Sequence, residues 1–480
     1  MKYLFILFIF ILTGNISQAQ RELSLNDVIA EAKIKSIRSK QIENRFQNSY
    51  WRNFSYKKQF LPSLVFEGTL PQLQRSISSV TQPDGTESFV NRNVFSSSAN
   101  LRINQVVPLI GGNFFVGTGL DNIRLSGNAN TYLSRPIEFG YSQNLFGFNQ
   151  YKWDKKIEPL FFNEAQLLKT EEIEQLSKES VNKYFDLLRS QLSLQNAENN
   201  FLNNDTIYKI GKGRYSYGKI AENELLQLEL SLLNSEISFE KEKVNFELNR
   251  QRLATFLGYA STEIIELKLD SMIPDFEINY TEALKHAYQL NSALIQQERD
   301  IFEAEMNVAR VKSSNRFSLD LTATFGLSQT ANTISEAYIS PQNQEFVSLG
   351  VRAPLIQWGL GKGRIRQAKT NAELVKSTIE QEKIDFDQEI FVTVANFNLN
   401  IKQLSVSKRA NEVAGKRFFV SKQRYLLGKT LITDLQIAQQ EKDRALINYI
   451  NAYRSFWVSY YDVRKLTHYD FEKNMVINHQ

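Results

Sequence analysis

Two stretches of this chain carry the same chemically capable groups at the same spacing: RYSYGKIAENEL at residues 214 to 225 and RYLLGKTLITDL at residues 424 to 435, 210 positions apart. Each places an arginine (Arg214, Arg424) and a tyrosine (Tyr215, Tyr425) ahead of a glycine (Gly218, Gly428). A lysine follows the glycine (Lys219, Lys429), and a carboxylate stands a few residues further on (Glu224, Asp434). The chemistry open to such a set is electrostatic. A guanidinium can face a carboxylate across a tight reversal, within one hairpin or between copies, as a weak latch contributing about 0 to 1 kcal/mol. Carboxylates from several copies could also gather round a divalent cation. The plainer reading is a solvated helix tip.

Little else in the chain could do chemistry. There are no cysteines and three histidines, His286, His468 and His479, so thiol catalysis is excluded and a multi-histidine metal site lacks ligands. GKGR at residues 211 to 214 and GLGKGR at 359 to 364 lack the full glycine, lysine and hydroxyl spacing of a phosphate loop. No acid–base cluster suggests an enzyme, and no cofactor is implied. A net charge of +5 over 480 residues, without a lysine- or arginine-rich block, argues against nucleic acid.

Those two stretches must be held by long elements. MKYLFILFIFILTGNISQAQ reads as a secretory signal cut after Ala19, giving residues 1–19 as leader, and no later stretch is apolar enough for a membrane-spanning helix. The shift of 210 continues outward: Leu145 falls on Leu355, Phe148 on Trp358 and Lys152 on Lys362. A second shift of 255 sets SLNDVIAEA at Ser24 on NYTEALKHA at Asn279. The difference leaves 45 extra residues in the first half, within about 71–136. Two copies of one unit, residues 20–275 and 276–480, are the expected organisation.

Each copy has two textures. From Asp154 to Phe256, apolar residues such as Ile173, Leu176, Tyr184, Leu188 and Leu192 recur at three and four, predicting long helices with a narrow apolar seam. Single helices are also expected over about Ser24–Lys58 and Tyr280–Ser314. FSLDLTATFGLS from Phe317, VSLGVRAPL from Val347 and IEFGYSQNL from Ile137 alternate strictly, predicting strands of about ten residues. An ordinary sheet with one wet face would give that pattern. So would an outer-membrane barrel, but about four strands per chain are too few to close one, so several chains would have to share it.

LSLNDVIAEA at residues 23 to 32, FLPSL at 60 to 64, PLIQWGLGKGRIRQA from Pro354 and the two Arg-Tyr-x-x-Gly-Lys tips stand in the order and spacing of the TolC family of outer-membrane efflux channels, which the mature chain resembles throughout. The resemblance implies an α+β membrane protein: a homotrimer with a long coiled-coil helical barrel and a transmembrane β-barrel of four strands per chain. It implies an outer-membrane location with a periplasmic extension, and the role of exit duct for a tripartite efflux or type I secretion system. Its partners would be a periplasmic adaptor, an inner-membrane transporter and outer-membrane lipid. Tyr425 then matches a gate tyrosine and Asp434 an acid lining the constriction, with Glu224 its counterpart. Thr430 stands where some members carry a gating arginine, and Ile437 where they carry a second aspartate.

In the extra segment, TQPDGTESF at 81 to 89 and Gly111-Gly112 mark reversals, reading as an added hairpin and favouring an extracellular loop over strands that enlarge the barrel. Phe146, Phe148, Trp153 and Trp358 fit either an interfacial girdle or packing at strand–helix junctions. A soluble periplasmic coiled-coil adaptor or structural protein would share the helices without needing lipid-facing strands.

Overall fold

The structure, a computed structural model, describes residues 21–125, 130–268 and 276–477. The expected leader, the junction between the two copies at 275/276 and His479 lie outside the described residues. In chain order the elements are β1 (Arg21–Leu23), α1 (Leu25–Lys35), α2 (Ile37–Lys58), β2 (Ser63–Thr81), β3 (Glu87–Val107), β4 (Gly112–Leu125), β5 (Asn130–Leu145), α3 (Gln150–Ser216) and α4 (Glu222–Phe256). There follow β6 (Ile265–Leu267), α5 (Tyr280–Gln289), α6 (Ser292–Ser314), β7 (Ser318–Ala331), β8 (Gln342–Arg352), α7 (Leu360–Leu426), α8 (Ile432–Thr467), β9 (Tyr469–Asp470) and β10 (Met475–Val476).

The duplication is visible in the element starts. α3 and α7 begin 210 residues apart, end 210 residues apart and are both 67 residues long. α4 and α8 also begin 210 apart, while α1 and α5, α2 and α6, and β2 and β7 begin 255 apart. The expected single opening helices are in fact broken in two. Ser36, in extended conformation, closes α1 through its N–H to the Ala32 carbonyl and opens α2 by accepting from the Ser39 N–H at 3.0 Å. Asn291, 255 positions on, stands between α5 and α6. A residue of the Ser/Asn type serves as a helix cap because its side chain replaces missing backbone partners, so one such residue can end and restart a helix.

The chain forms two compact units, each assembled from parts of both copies. One comprises Gln47–Ala165 and Ser292–Lys383 and holds the sheet; the other holds the remaining helical segments, including both tips. α3 and α7 contribute to both.

In the first unit six antiparallel strands pair in the order β2-β3-β4-β5-β7-β8. The expectation of about four strands per chain is corrected to six. β2 aligns with β7 and β5 with β8 under the two shifts, so the extra segment is β3 and β4, strands rather than a loop. Both predicted reversals are present, with Gly85 at φ +80° and Gly111 at φ +73°. β2 and β3 run 19 and 21 residues, about twice the expected length, because their register continues through the polar stretch Arg75–Val80 opposite Ser88–Asn93.

In the second unit α1, α5 and the helices around them bury Val28, Ala32, Leu253, Leu257, Ala283, Ala287, Phe397 and Phe456. Among them lies an ionic knot. The Arg464 guanidinium donates to both oxygens of Glu174, at 2.6 and 3.2 Å, and to Asp470, while Asp470 accepts from the Tyr460 hydroxyl at 2.8 Å. Glu174 is fully buried, and Lys33 approaches it to 4.0 Å. Burial pushes the Tyr460 and Tyr461 phenols up, so both stay neutral. Arg464→Met, which removes the two guanidinium donors from buried Glu174, should cost about 3–5 kcal/mol. Adding Glu174→Gln should recover part of that loss. Thermal unfolding of the detergent-extracted variants checks both, and a double variant no better than the single one would show that packing rather than charge governs the knot.

Candidate functional site

The two tips are built alike, and glycine is the reason. At the end of α3, Gly218 adopts φ +65°, its N–H donates to the Tyr215 carbonyl and the Lys219 N–H to the Arg214 carbonyl, both at 2.9 Å. At the end of α7, Gly428 adopts φ +70°, with Gly428 donating to Tyr425 and Lys429 to Arg424, again at 2.9 Å. This is the paired closure in which a left-handed residue lets the chain fold back on the last helical carbonyls. A Cβ at either glycine would meet no atom within 4 Å, so backbone conformation alone selects glycine. α4 and α8 then start at Glu222 and Ile432 without a side-chain cap, and Glu222, Glu224 and Asp434 lie in their first turns, where the helix dipole favours negative charge. Asp434 also accepts from the Thr430 hydroxyl at 2.7 Å.

The tips pack against each other. Ile207 and Leu228 from the first copy join Phe418, Tyr425, Ile432, Leu435 and Ala438 from the second in one buried cluster, with Tyr208 and Ile220 against it. Arg214 bridges the pair in an unexpected way. Its guanidinium donates to the carbonyls of Tyr425 (3.4 Å) and Leu426 (2.8 Å), the last turn of α7, and lies 5.6 Å from the centre of the Tyr425 ring. A cation satisfying carbonyls that a helix end leaves without partners is favoured by both hydrogen bonding and the dipole. Within the chain, the expected pairing of Arg214 with Glu224 and of Arg424 with Asp434 is not formed among the described residues. The carbonyls hold Arg214, and Arg424 is exposed.

Equivalent tyrosines therefore occupy different surroundings. Tyr425 is 2 % exposed, and its hydroxyl lacks a protein partner among the described residues. Burial, with Glu224 nearby, pushes its phenol up, opposed by the Arg214 charge. Tyr215 is 42 % exposed. Lys219 and Lys429 are exposed beside the turns.

Further along the same helices runs a polar seam that the repeated motif did not reveal. Asn196 and Asn200 donate to the two oxygens of Asp443 at 2.7 and 2.9 Å, Asn204 donates to the Ser231 carbonyl, and Gln227 donates to Gln436 at 2.8 Å. Lys422 reaches Asn203. Asn196, Asn200 and Asn204 recur every four residues along one helix face, and that spacing was the available signal. Among the described residues no group of three acids or histidines could hold a metal ion.

The sheet has two chemically distinct faces. In register across five strands, Leu64, Ile103, Val116, Phe139 and Phe325 form one apolar row. Leu321 with Leu349 and Ala323 with Val347 continue that face. Leu64, Ile103, Phe139 and Phe325 are exposed, as are Val347 and Leu349. The opposite face is polar: Arg102 lies 3.8 Å from Glu138, Arg135 lies 3.0 Å from Asp121 and donates to Asn100, and Asn144 donates to Asp320 at 2.7 Å. At the strand ends Trp358 is 94 % exposed, whereas Phe146 meets Phe317 at 5.3 Å and Phe148 lies under Arg310. Lys156 lies 5.3 Å from the Trp153 ring.

Residues 279–467 match the family of outer membrane efflux proteins. Over 215 residues the chain is 23% identical to the Outer membrane protein TolC of Escherichia coli (strain K12), a match that spans 42% of this chain and 44% of that protein, less than half of either. In fold it is similar to the outer membrane channel CmeC of Campylobacter jejuni (TM-score 0.67, 14% identity, 92% of this chain and 85% of that one). It is similar also to VceC of Vibrio cholerae (0.64, 12%, 92% and 95%) and to the open state of the MtrE channel of Neisseria gonorrhoeae (0.62, 13%, 94% and 90%).

Gly428→Ala should destabilise the second tip by about 1–2 kcal/mol, the penalty of a left-handed non-glycine residue. Gly218→Ala should do the same, and hydrogen exchange confined to the affected hairpin is the measurement. Loss at only one tip would mean the two closures differ in solution.

Proposed function

We propose that this chain, which has the fold of the outer-membrane efflux channels and the sequence match of that family over its second copy, is one protomer of an outer-membrane exit duct. Channels of this family are conduits rather than enzymes. Three copies would close their sheets into one barrel, with the helical segments reaching into the periplasm towards an adaptor and an inner-membrane transporter of a tripartite efflux or type I secretion system. Lys219, Lys429 and Tyr215, exposed at the turns, are the groups available for adaptor docking.

One observation carries the reading: an exposed apolar row in register across five strands, backed by a face of paired charges. Such a sheet is stable only with hydrocarbon outside and water inside, and hydrocarbon tolerates no unpaired strand edge. The free edges of β2 and β8 are those that neighbouring copies would join. Three copies of six strands make an eighteen-stranded barrel, a size that leaves an aqueous lumen rather than one filled by side chains.

Electron microscopy of the detergent-extracted protein, without imposed symmetry, should show three copies around a barrel of eighteen strands. Twelve strands would place β3 and β4 outside the wall, and single soluble chains would overturn the channel. A pair of substitutions tests which face meets lipid. Leu321→Lys should cost about 2–4 kcal/mol near the bilayer midplane. Thr322→Lys, on the opposite face, should assemble normally. Equal assembly in outer-membrane fractions would refute the assignment of faces.

A further inference from the structure

Charge is divided unevenly between the two ends of the sheet. Because neighbouring strands are antiparallel, the start of β2, the end of β5, the start of β7 and the end of β8 share one end, the end joined to α2, α3, α6 and α7. Hydrogen bonds tie these junctions together: Gln105 donates to the Phe60 carbonyl at 3.0 Å, Asn149 to the Pro108 carbonyl at 2.9 Å and Arg316 to the Phe146 carbonyl at 2.9 Å. The junctions, residues 52–62, 146–158, 308–317 and 352–372, hold fourteen lysines and arginines against two acids, Asp154 and Glu158. Their net charge is +12 in a chain whose total is +5. The turns at the other end, residues 70–92, 121–134 and 329–345, hold three cations and five acids.

Nothing within the chain accounts for the surplus. Both junction acids are already engaged: Glu158 accepts from Arg52 at 2.7 and 3.0 Å, and Asp154 from Gln150 at 2.5 Å. Lys57, Lys152, Lys155, Lys362, Arg364 and Arg366 are exposed and form no ion pair among the described residues. Helix electrostatics runs the other way, since the first turns of α3 and α7 favour acids and contain none. A neighbouring copy would not supply them either. Joining β8 to β2 of the next copy brings the start of α7 towards the end of α2, Lys362 and Arg364 towards Lys57 and Lys58, so closing the ring adds repulsion.

The surface beside these cations is apolar. Leu109 in the β3–β4 turn, and Leu355 and Trp358 between β8 and α7, are each at least 90 % exposed, and Ile356 is exposed with them. They continue the exposed face of Leu349 and Val351 on β8. α7 then places Lys362, Arg364, Arg366 and Lys369 within about 14 Å of its start. A lysine or arginine stem can lie along hydrocarbon with its charge among headgroups. An apolar edge followed by a band of unpaired cations is complementary to a leaflet whose headgroups carry negative charge. We propose that this end of the sheet binds anionic glycerophospholipids of the periplasm-facing leaflet, with their phosphates among the junction cations and their chains beside Leu355, Ile356 and Trp358, and that this binding relieves the repulsion between adjoining copies. The proposal rests on the outer-membrane channel described above.

The test heats the detergent-extracted, delipidated oligomer and follows its dissociation by size-exclusion chromatography, with phosphatidylglycerol, phosphatidylcholine or inorganic phosphate added at equal concentration. Phosphatidylglycerol should raise the dissociation temperature by several degrees, and the other two should leave it nearly unchanged. The variant carrying Lys57→Gln, Lys58→Gln, Lys362→Gln and Arg364→Gln should lose that shift. Without lipid it should dissociate at a higher temperature than the parent, because repulsion between copies is reduced; a lower temperature would overturn the role in relieving repulsion. Arg75→Gln with Arg124→Gln, at the other end of the sheet, should keep the full response, and its loss there would overturn the placement of the lipid. Equal shifts with phosphatidylglycerol and phosphatidylcholine, or with inorganic phosphate, overturn the proposal while the channel stands. A chain that stays single under every condition would overturn the channel reading, and the lipid site with it.

Discussion

A sheet six strands wide, apolar on one side and open at both edges, cannot be completed by the chain that makes it. Each edge strand presents a row of N–H and C=O groups that must find partners wherever water is absent. Within the sheet the pairing is nearly continuous from Ser63 to Arg352, interrupted by register shifts at Thr69/Gln72, Gly117/Gly119 and Ser134/Ile137. Those irregularities increase local twist, which a sheet needs if it is to curve and close. In hydrocarbon the β2 and β8 edges would each need a neighbour, and that requirement sets the terms for the rest of the molecule.

Adding β3 and β4 makes sense under that constraint. A hairpin inserted between β2 and β5 leaves the edge strands and their chemistry unchanged, because two antiparallel strands restore the original direction. An odd number of inserted strands would have reversed β5 and the helix that follows it. The sheet can therefore be widened by hairpins without altering the helices, and α3 and α7 remain equal in length although one follows four strands and the other two.

Much of this was legible in the sequence, for identifiable reasons. Gly218 and Gly428 announced the tips because a left-handed turn admits few other residues, and the alternation from Phe317 announced β7 because a half-buried strand leaves no other pattern. What escaped had no such signature. The acceptors of Arg214 are main-chain carbonyls, which every residue possesses, so its partner could not be read from side chains. The helix breaks at Ser36 and Asn291 occur without proline or glycine, and Ser36 caps with an ordinary hydroxyl that many helix residues carry. The inserted hairpin was visible as two turns, but whether its strands join a sheet depends on register with β2 and β5, a non-local property.

Duplication followed by divergence accounts for equivalent tip residues in unequal surroundings, Tyr425 buried and Tyr215 exposed. When two copies of a unit are fused, every interface between units becomes either internal or external to the chain, and selection can treat the two kinds separately. The internal contact is lined by Phe418, Ile432 and Ile207, whose burial stabilises without directional demands. The positions equivalent to Ile207 and Ile432 hold Arg417 and Glu222 instead, and Arg417 pairs with Glu441 within the chain.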